Sequence, residues 1–311
     1  METLLTEAFI TALLFGAVTA GVPLLLAGLG EQVSEKAGVL NIGIEGMMLM
    51  GAYAGFVAAY YSGSFLLGFA AGGLGGGAVA ALMALFCVRL GMNQIVIGIA
   101  LTLGAEGLTA LLHHFQFSRS YPRLDAAPVL ALPGLADIPV LGPALFSHHW
   151  LVYLAVLAVP AQAWIFRRSH IGLDLEAAGQ KPAALDAAGV SVLATRTFAV
   201  LTTGFVAGMG GAYMANVGAG LFVPFMTGGA GFMGIVLAML ARGRPSWVLV
   251  GSVVFGLSLS LTTAFQVAGV NVPTDIVQML PFLMVMLMLV LFARHSGLPP
   301  ALGLPYVRGS R

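Results

Sequence analysis

The chain has 311 residues, of which 59% are hydrophobic and only 8% are Asp, Glu, Lys or Arg. A soluble domain carries about 25% charged residues because a solvated surface needs them, which excludes a water-soluble enzyme and a disordered chain. A formal net charge of +1 offers no basic face to a nucleic acid, and the single cysteine, Cys87, cannot form an intrachain disulfide.

The composition is that of an all-α polytopic membrane protein. A spanning helix needs about 20 mostly apolar residues. In chain order, the apolar runs cover 8–29, 39–60, 64–88, 92–112, 149–166, 197–217, 228–241, 246–267 and 275–293. They predict nine transmembrane helices in one transmembrane domain over residues 1–311. The seventh run is short, and Pro224 with Gly228, Gly229 and Gly231 points to two half-helices. Broken helices at membrane depth are tolerated only where protein or a cavity surrounds them. The N-terminal METLLTEAFI lacks the basic stretch of a signal peptide, so the first helix is expected to be retained.

Lys and Arg choose the cytoplasmic side. With the N-terminus outside, Lys36, Arg89, Arg167, Arg168, Lys181, Arg196, Arg242, Arg244, Arg294, Arg308 and Arg311 fall inside and only Arg119 and Arg123 outside. That bias requires an odd number of spans and a cytoplasmic C-terminus, which nine spans satisfy.

Two connections exceed a tight turn. The external one, about 113–148, is rich in Pro and Leu and lacks helical periodicity. The internal one, about 167–196, contains GQKPAALDAAGV, in which Pro182 suits the first turn of a helix and Gly189 its C-terminal end. Two turns are too short to persist unless docked on something.

Much of the glycine lies inside the spans. Gly72 and Gly76, Gly73 and Gly77, and Gly204 and Gly208 have the four-residue spacing that lets helix backbones approach closely, either within the chain or at a dimer seam. A carboxylate at the centre of a membrane helix costs about 2.5–3.5 kcal/mol on insertion scales, so it faces a cavity or a partner. Glu45 in the second run and Glu106 in the fourth are of this kind, with the amides Asn41, Asn93, Gln94 and Asn216 beside them. These six are the candidate substrate-contacting residues, and for both glutamates a helix-packing hydrogen bond is the competing reading. His113, His114, His148 and His149 flank the external loop, where an interfacial position explains them better than a metal, so no metal site is assigned. No G-x-S-x-G, H-E-x-x-H or P-loop occurs. The chain is therefore expected not to be an enzyme and to hold no cofactor of its own.

EQVSEKAGVLNIGIEGMMLMGAYAG (31–55) and GLDLEAAGQKPAALDAAGV (172–190) carry a resemblance. Together with the closing NVPTDIVQMLPFLMVMLMLVLFA, they resemble the permease subunits of bacterial ABC importers in the branched-chain amino acid and simple-sugar permease family. The likeness is greatest to the nucleoside and simple-sugar branch. The resemblance implies that Lys181, Pro182, Ala183, Ala184, Leu185, Ala188 and Gly189 form a cytoplasmic coupling helix that docks on an ATPase subunit, where the ATP is used. It also implies a second permease subunit, an extracytoplasmic binding protein or lipoprotein, a path between the two permeases, and a place in the bacterial cytoplasmic membrane. The competing function is an ion-coupled secondary transporter using Glu45 and Glu106, which predicts inverted repeats. A nontransporting membrane scaffold is a further alternative, but it gives no reason for intramembrane carboxylates.

Overall fold

The first apolar run continues as a helix well past residue 29. In the computed structural model, which describes residues 7–267 and 298–307 with isolated positions at 279, 283, 286, 287 and 290, helix α1 spans Glu7–Lys36. Its last turns bury their polar side chains: Glu31, Gln32, Ser34 and Glu35 are 0–4% exposed. The second helix, α2 (Ile44–Ser62), starts five residues later than expected, since 37–43 form a turn around Gly38 at φ +84°.

A short hairpin then leads into α3 (Phe65–Met83). Gly63 sits at φ +65° to close α2, and the Ser64 hydroxyl accepts the Leu67 amide. Helix α3 ends in a π-turn, Ala84–Arg89, and α4 (Gln94–Phe117) follows, capped by Asn93, whose Oδ1 accepts the Ile95 and Val96 amides at 2.9 and 3.2 Å. The connection between α4 and the next long helix holds a two-residue antiparallel pair, β1 (Leu130–Ala131) with β2 (Ser147–His148), and a short helix, α5 (Leu141–Leu145).

Helix α6 (Trp150–Arg168) leads to the internal connection, which is more ordered than expected. Besides the two-turn helix α8 (Pro182–Ala187), it contains α7 (His170–Gln180), whose N-terminus the Ser169 hydroxyl caps. Helix α9 (Val192–Tyr213) ends in a second π-turn, Met214–Ala219. The seventh run is a single 12-residue helix, α10 (Ala230–Ala241), and not two half-helices. The residues before it, 220–229, run as turns because Gly220, Gly228 and Gly229 all adopt positive φ. Helix α11 (Pro245–Val267) follows, and the expected ninth span, 275–293, lies outside the described residues.

Five of the described helices are long and apolar enough to cross a membrane: α1, α3 with its π-turn, α4, α6, and α9 with its π-turn. Helix α1 is the centre of the bundle, packed by α9, α10 and α11. Leu24, Leu25 and Leu29 meet Leu237, Val248 and Phe255 there. Helices α2, α3 and α9 form a second unit in which backbones touch through glycine, with Gly51, Gly72, Gly76, Gly204 and Gly208 against one another. The four-residue glycine spacing is thus used inside the chain at 72, 76, 204 and 208, whereas nothing lies within 4 Å of a Cβ at Gly77.

Candidate translocation and coupling site

The break before α10 is held by Glu45. Its two carboxylate oxygens accept the backbone amides of Gly229 at 2.8 Å and Gly231 at 2.6 Å. The first amides of a helix have no partner within it, and the helix dipole favours an anion there. Glu45 lies in the first turn of α2 and not at a helix centre, and it is buried. The carboxylate thus makes packing hydrogen bonds to the turn that opens α10.

The side-chain amides of Gln94, Asn93 and Asn216 are tied to backbone, and that of Asn41 is not. The Gln94 Oε1 accepts the Leu40 amide at 2.8 Å, and the Asn41 amide donates to Glu31 at 3.1 Å, fixing the turn between α1 and α2. Asn41 precedes α2, and its Nδ2 reaches the Met47 sulfur at 3.4 Å. Asn93 is the exposed cap of α4. Asn216 sits in the π-turn after α9, fully buried, with its Nδ2 on the Gly55 carbonyl at 3.3 Å. Glu106 is half-buried on α4.

A cavity of about 770 Å³ opens beside the break, between the first half of α1, the 214–233 stretch and α11. Phe15, Pro23, Met214, Met226 and Met233 give it an apolar wall. Two of its hydroxyls are turned to the backbone, Thr19 donating to Phe15 O at 3.0 Å and Ser260 to Leu13 O at 2.8 Å, and Thr227 also lines it. None of the six candidate residues is in its lining; Glu45 shapes it by holding Gly229 and Gly231.

At the opposite end of α1 lies the α7–α8 face. Lys36 closes an ion pair with Glu176 at 2.8 Å and lies over the Phe166 ring. Within α8, Ala183, Ala184, Ala187 and Ala188 are exposed, as are Lys181 and Gly189, and Pro182 is half-buried. Leu185, expected among the coupling contacts, is instead buried against Ala178, Val192 and Tyr306 of its own chain. A six-residue helix that must stay put needs an anchor, and Leu185 is that anchor.

The end of the bundle at the 118–149 connection is apolar and aromatic. His148 stacks on Phe15 with ring centroids 4.6 Å apart, and its Nε2 lies 2.8 Å from the Ala144 carbonyl. His149 caps α6 through Nδ1 and packs among Phe65, Phe69 and Trp150. Burial holds both imidazoles below the ordinary histidine range, His149 down to about 4.

A family model described as the branched-chain amino acid transport system permease component matches residues 13–289. The chain belongs to this permease family. It is 41% identical over 253 residues to the Haloferax volcanii ABC transporter permease protein TsgC13, covering 80% of this chain and 76% of that one. It is 30% identical to the guanosine ABC transporter permease protein NupQ of Bacillus subtilis, covering 93% and 94% of the two chains. It is likewise 30% identical to the nucleoside ABC transporter permease protein NupC of Lactococcus lactis, covering 92% and 93%.

The chain is therefore an ABC transporter permease of the sugar and nucleoside type, a multi-pass membrane protein that is not itself an enzyme. In such a permease the ATPase is a separate subunit. Reasoning from the sequence missed three buried charged groups in this permease. Glu31 and Glu35 fell beyond the expected end of α1, although their i, i+4 spacing with the apolar run was a signal that the helix continued. Arg196 was counted as a cytoplasmic surface charge, yet it is 2% exposed and its guanidinium ends on backbone carbonyls.

Proposed function

We propose that this permease subunit carries a nucleoside or a simple sugar into the cytoplasm, with energy from ATP hydrolysed by a separate ATPase that docks on α7–α8. The observation that carries the reading is the α7–α8 pair. A two-turn helix is anchored from below by Leu185 and leaves a smooth face of four alanines outward. Small side chains let a partner's surface approach the helix backbone. The cargo class is supported by the named cargoes of relatives: guanosine, nucleoside and, for the 29%-identical TsgB13 of Haloferax volcanii, glucose.

On this reading the whole chain acts as one permease domain in the bacterial cytoplasmic membrane, N-terminus outside and C-terminus inside, with nine spans. It works with a second, related permease and an extracytoplasmic binding protein. The 770 Å³ cavity is within the size range of small-molecule sites. With Thr19 and Ser260 turned to the backbone, it offers a passing nucleoside or sugar few polar contacts, as a path that must release its cargo requires. Glu45, Asn41, Gln94 and Asn216 act by holding the walls and Asn93 by capping α4, while Glu106, half-buried on α4, is not part of this cavity's lining. The ion-coupled alternative is disfavoured because both oxygens of Glu45 are engaged by amides of the α10 turn.

Gentle purification of the tagged chain from its native membranes, followed by mass spectrometry of what stays bound, tests this. A P-loop ATPase and a second permease are expected. A chain that comes out alone and still moves cargo without ATP contradicts it.

A further inference from the structure

Several connections at the α7–α8 end of the bundle meet on one short segment, residues 298–307. The Ala301 amide donates to Gly179 O at 3.0 Å and the Gly303 amide to Gly38 O at 3.1 Å, so the segment bridges the end of α7 and the turn after α1. Pro305 lies against Gly91, in the connection between α3 and α4. Tyr306 packs on the Ala178, Leu185 and Val192 cluster beneath α8.

Arg196, in the first turns of α9, locks this assembly from inside. Its Nε donates to Ala37 O at 3.1 Å, Nη1 to Leu304 O at 2.7 Å, and Nη2 to Ala178 O at 3.2 Å and Ala301 O at 3.5 Å. Ala37 follows the last residue of α1 and Ala178 is in the last turn of α7, where unpaired carbonyls and the helix dipole favour a cation. The fork is satisfied by backbone from three separate segments. Rotating a side chain of those segments does not release them, because the backbone itself is held. Gly38 and Gly179 are packed backbone to backbone at the same place, with the Cα of Gly179 3.1 Å from a Cβ at Gly38.

We propose that Arg196 and the 298–307 strap are the positioning device that passes a displacement of α7–α8 to the end of α1. From there it reaches the 37–43 turn and the Glu45-capped start of α10. The inference rests on the proposed function, in which α7–α8 receives the ATPase. Contiguity alone does not prove such a pathway, so the test must read coupling. Arg196 touches no cargo and acts through the backbones it holds.

The test uses the full complex of permeases, ATPase and binding protein in proteoliposomes, with four forms of this chain: wild type, Arg196→Lys, a chain ending at residue 297, and the two changes combined. Lys keeps the charge but cannot bridge four carbonyls as the planar fork does. The expected result is that both variants still assemble with the ATPase and hydrolyse ATP. Cargo moved per ATP falls roughly tenfold, and the doubly altered chain is no worse than either alone, as for groups acting as one unit. Assembled variants with wild-type transport per ATP overturn the proposal, as does transport that falls only in proportion to the amount of complex assembled. Should Arg196→Lys not fold, the truncated chain decides by the same readout. A wild-type chain that binds no ATPase overturns the proposed function instead.

Discussion

The Gly231 amide donates to Glu45 at 2.6 Å, and a Cβ placed on Gly231 would lie 2.6 Å from the Glu45 Cα. The start of α10 is thus fixed twice by one residue of α2, electrostatically by the carboxylate and sterically by the backbone. Glu45→Gln leaves one acceptor oxygen for two amides and should cost about 1–2 kcal/mol. Gly231→Ala forces the helices apart and should cost about 1–3 kcal/mol. Thermal unfolding of the purified protein in detergent reads both, and an unchanged midpoint for either removes the cap from the account.

The glycine-packed unit makes a paired prediction. A Cβ at Gly208 would collide with the Gly72 carbonyl, and its next neighbour is the Gly76 Cα at 2.9 Å, neither of which is a flexible side chain. Gly208→Ala should therefore cost about 1–3 kcal/mol or more. A Cβ at Gly77 meets nothing, so Gly77→Ala should be neutral or stabilising by up to about 1 kcal/mol through helix propensity. Comparing the two midpoints checks the arrangement, and equal losses contradict it.

The end of the bundle around His148 and His149 should be acid-sensitive. Burial lowers the His148 imidazole and brings His149 down to about 4, against about 6.5 in an unfolded chain. The unfolded state then binds more protons between those values, so the stability present above about pH 6.5 is lost as pH falls toward 4. The unfolding midpoint should drop between pH 7.5 and 4.5. His149→Asn, which keeps a cap on the Leu151 amide, should make that drop smaller. An identical pH profile for this variant would contradict the assignment.

The α8 face separates docking from folding. Ala184 is exposed and Leu185 is buried under its own chain. Ala184→Arg should leave the midpoint within about 0.5 kcal/mol of wild type while abolishing ATPase binding. Leu185→Asp buries an unpaired carboxylate and should cost more than about 3 kcal/mol. Measuring the melting midpoint and ATPase pull-down on the same preparations distinguishes them; full ATPase binding by Ala184→Arg would move the docking face elsewhere.

Much of this was legible in the sequence because a bilayer imposes long apolar runs, and each run before residue 267 contains a helix. The break before α10 was legible from Gly228 and Gly229, since glycine is the residue that takes positive φ without strain. What a one-dimensional reading could not see was burial by distant segments. Arg196 looks like any cytoplasmic arginine until the ends of α1, α7 and the 298–307 strap surround it. Leu185 looked outward-facing because its anchor, Tyr306, lies far along the chain. Helix α7 escaped notice because its 11 residues alternate polar and apolar groups too briefly for a period to emerge. Gln94, Asn216 and Glu45 were visible as polar residues in apolar surroundings, but only coordinates show that their side chains bond to backbone amides and carbonyls, and that the Asn41 side chain reaches the Met47 sulfur instead.

The central claim is that this permease moves its cargo only when a separate ATPase drives it. The most direct measurement is uptake of radiolabelled guanosine and of glucose into proteoliposomes holding the copurified complex, with and without ATP. Uptake of at least one cargo that requires both ATP and the ATPase subunit is the predicted result. Equal uptake by the chain alone, without ATP and driven by an imposed ion gradient, would contradict the account.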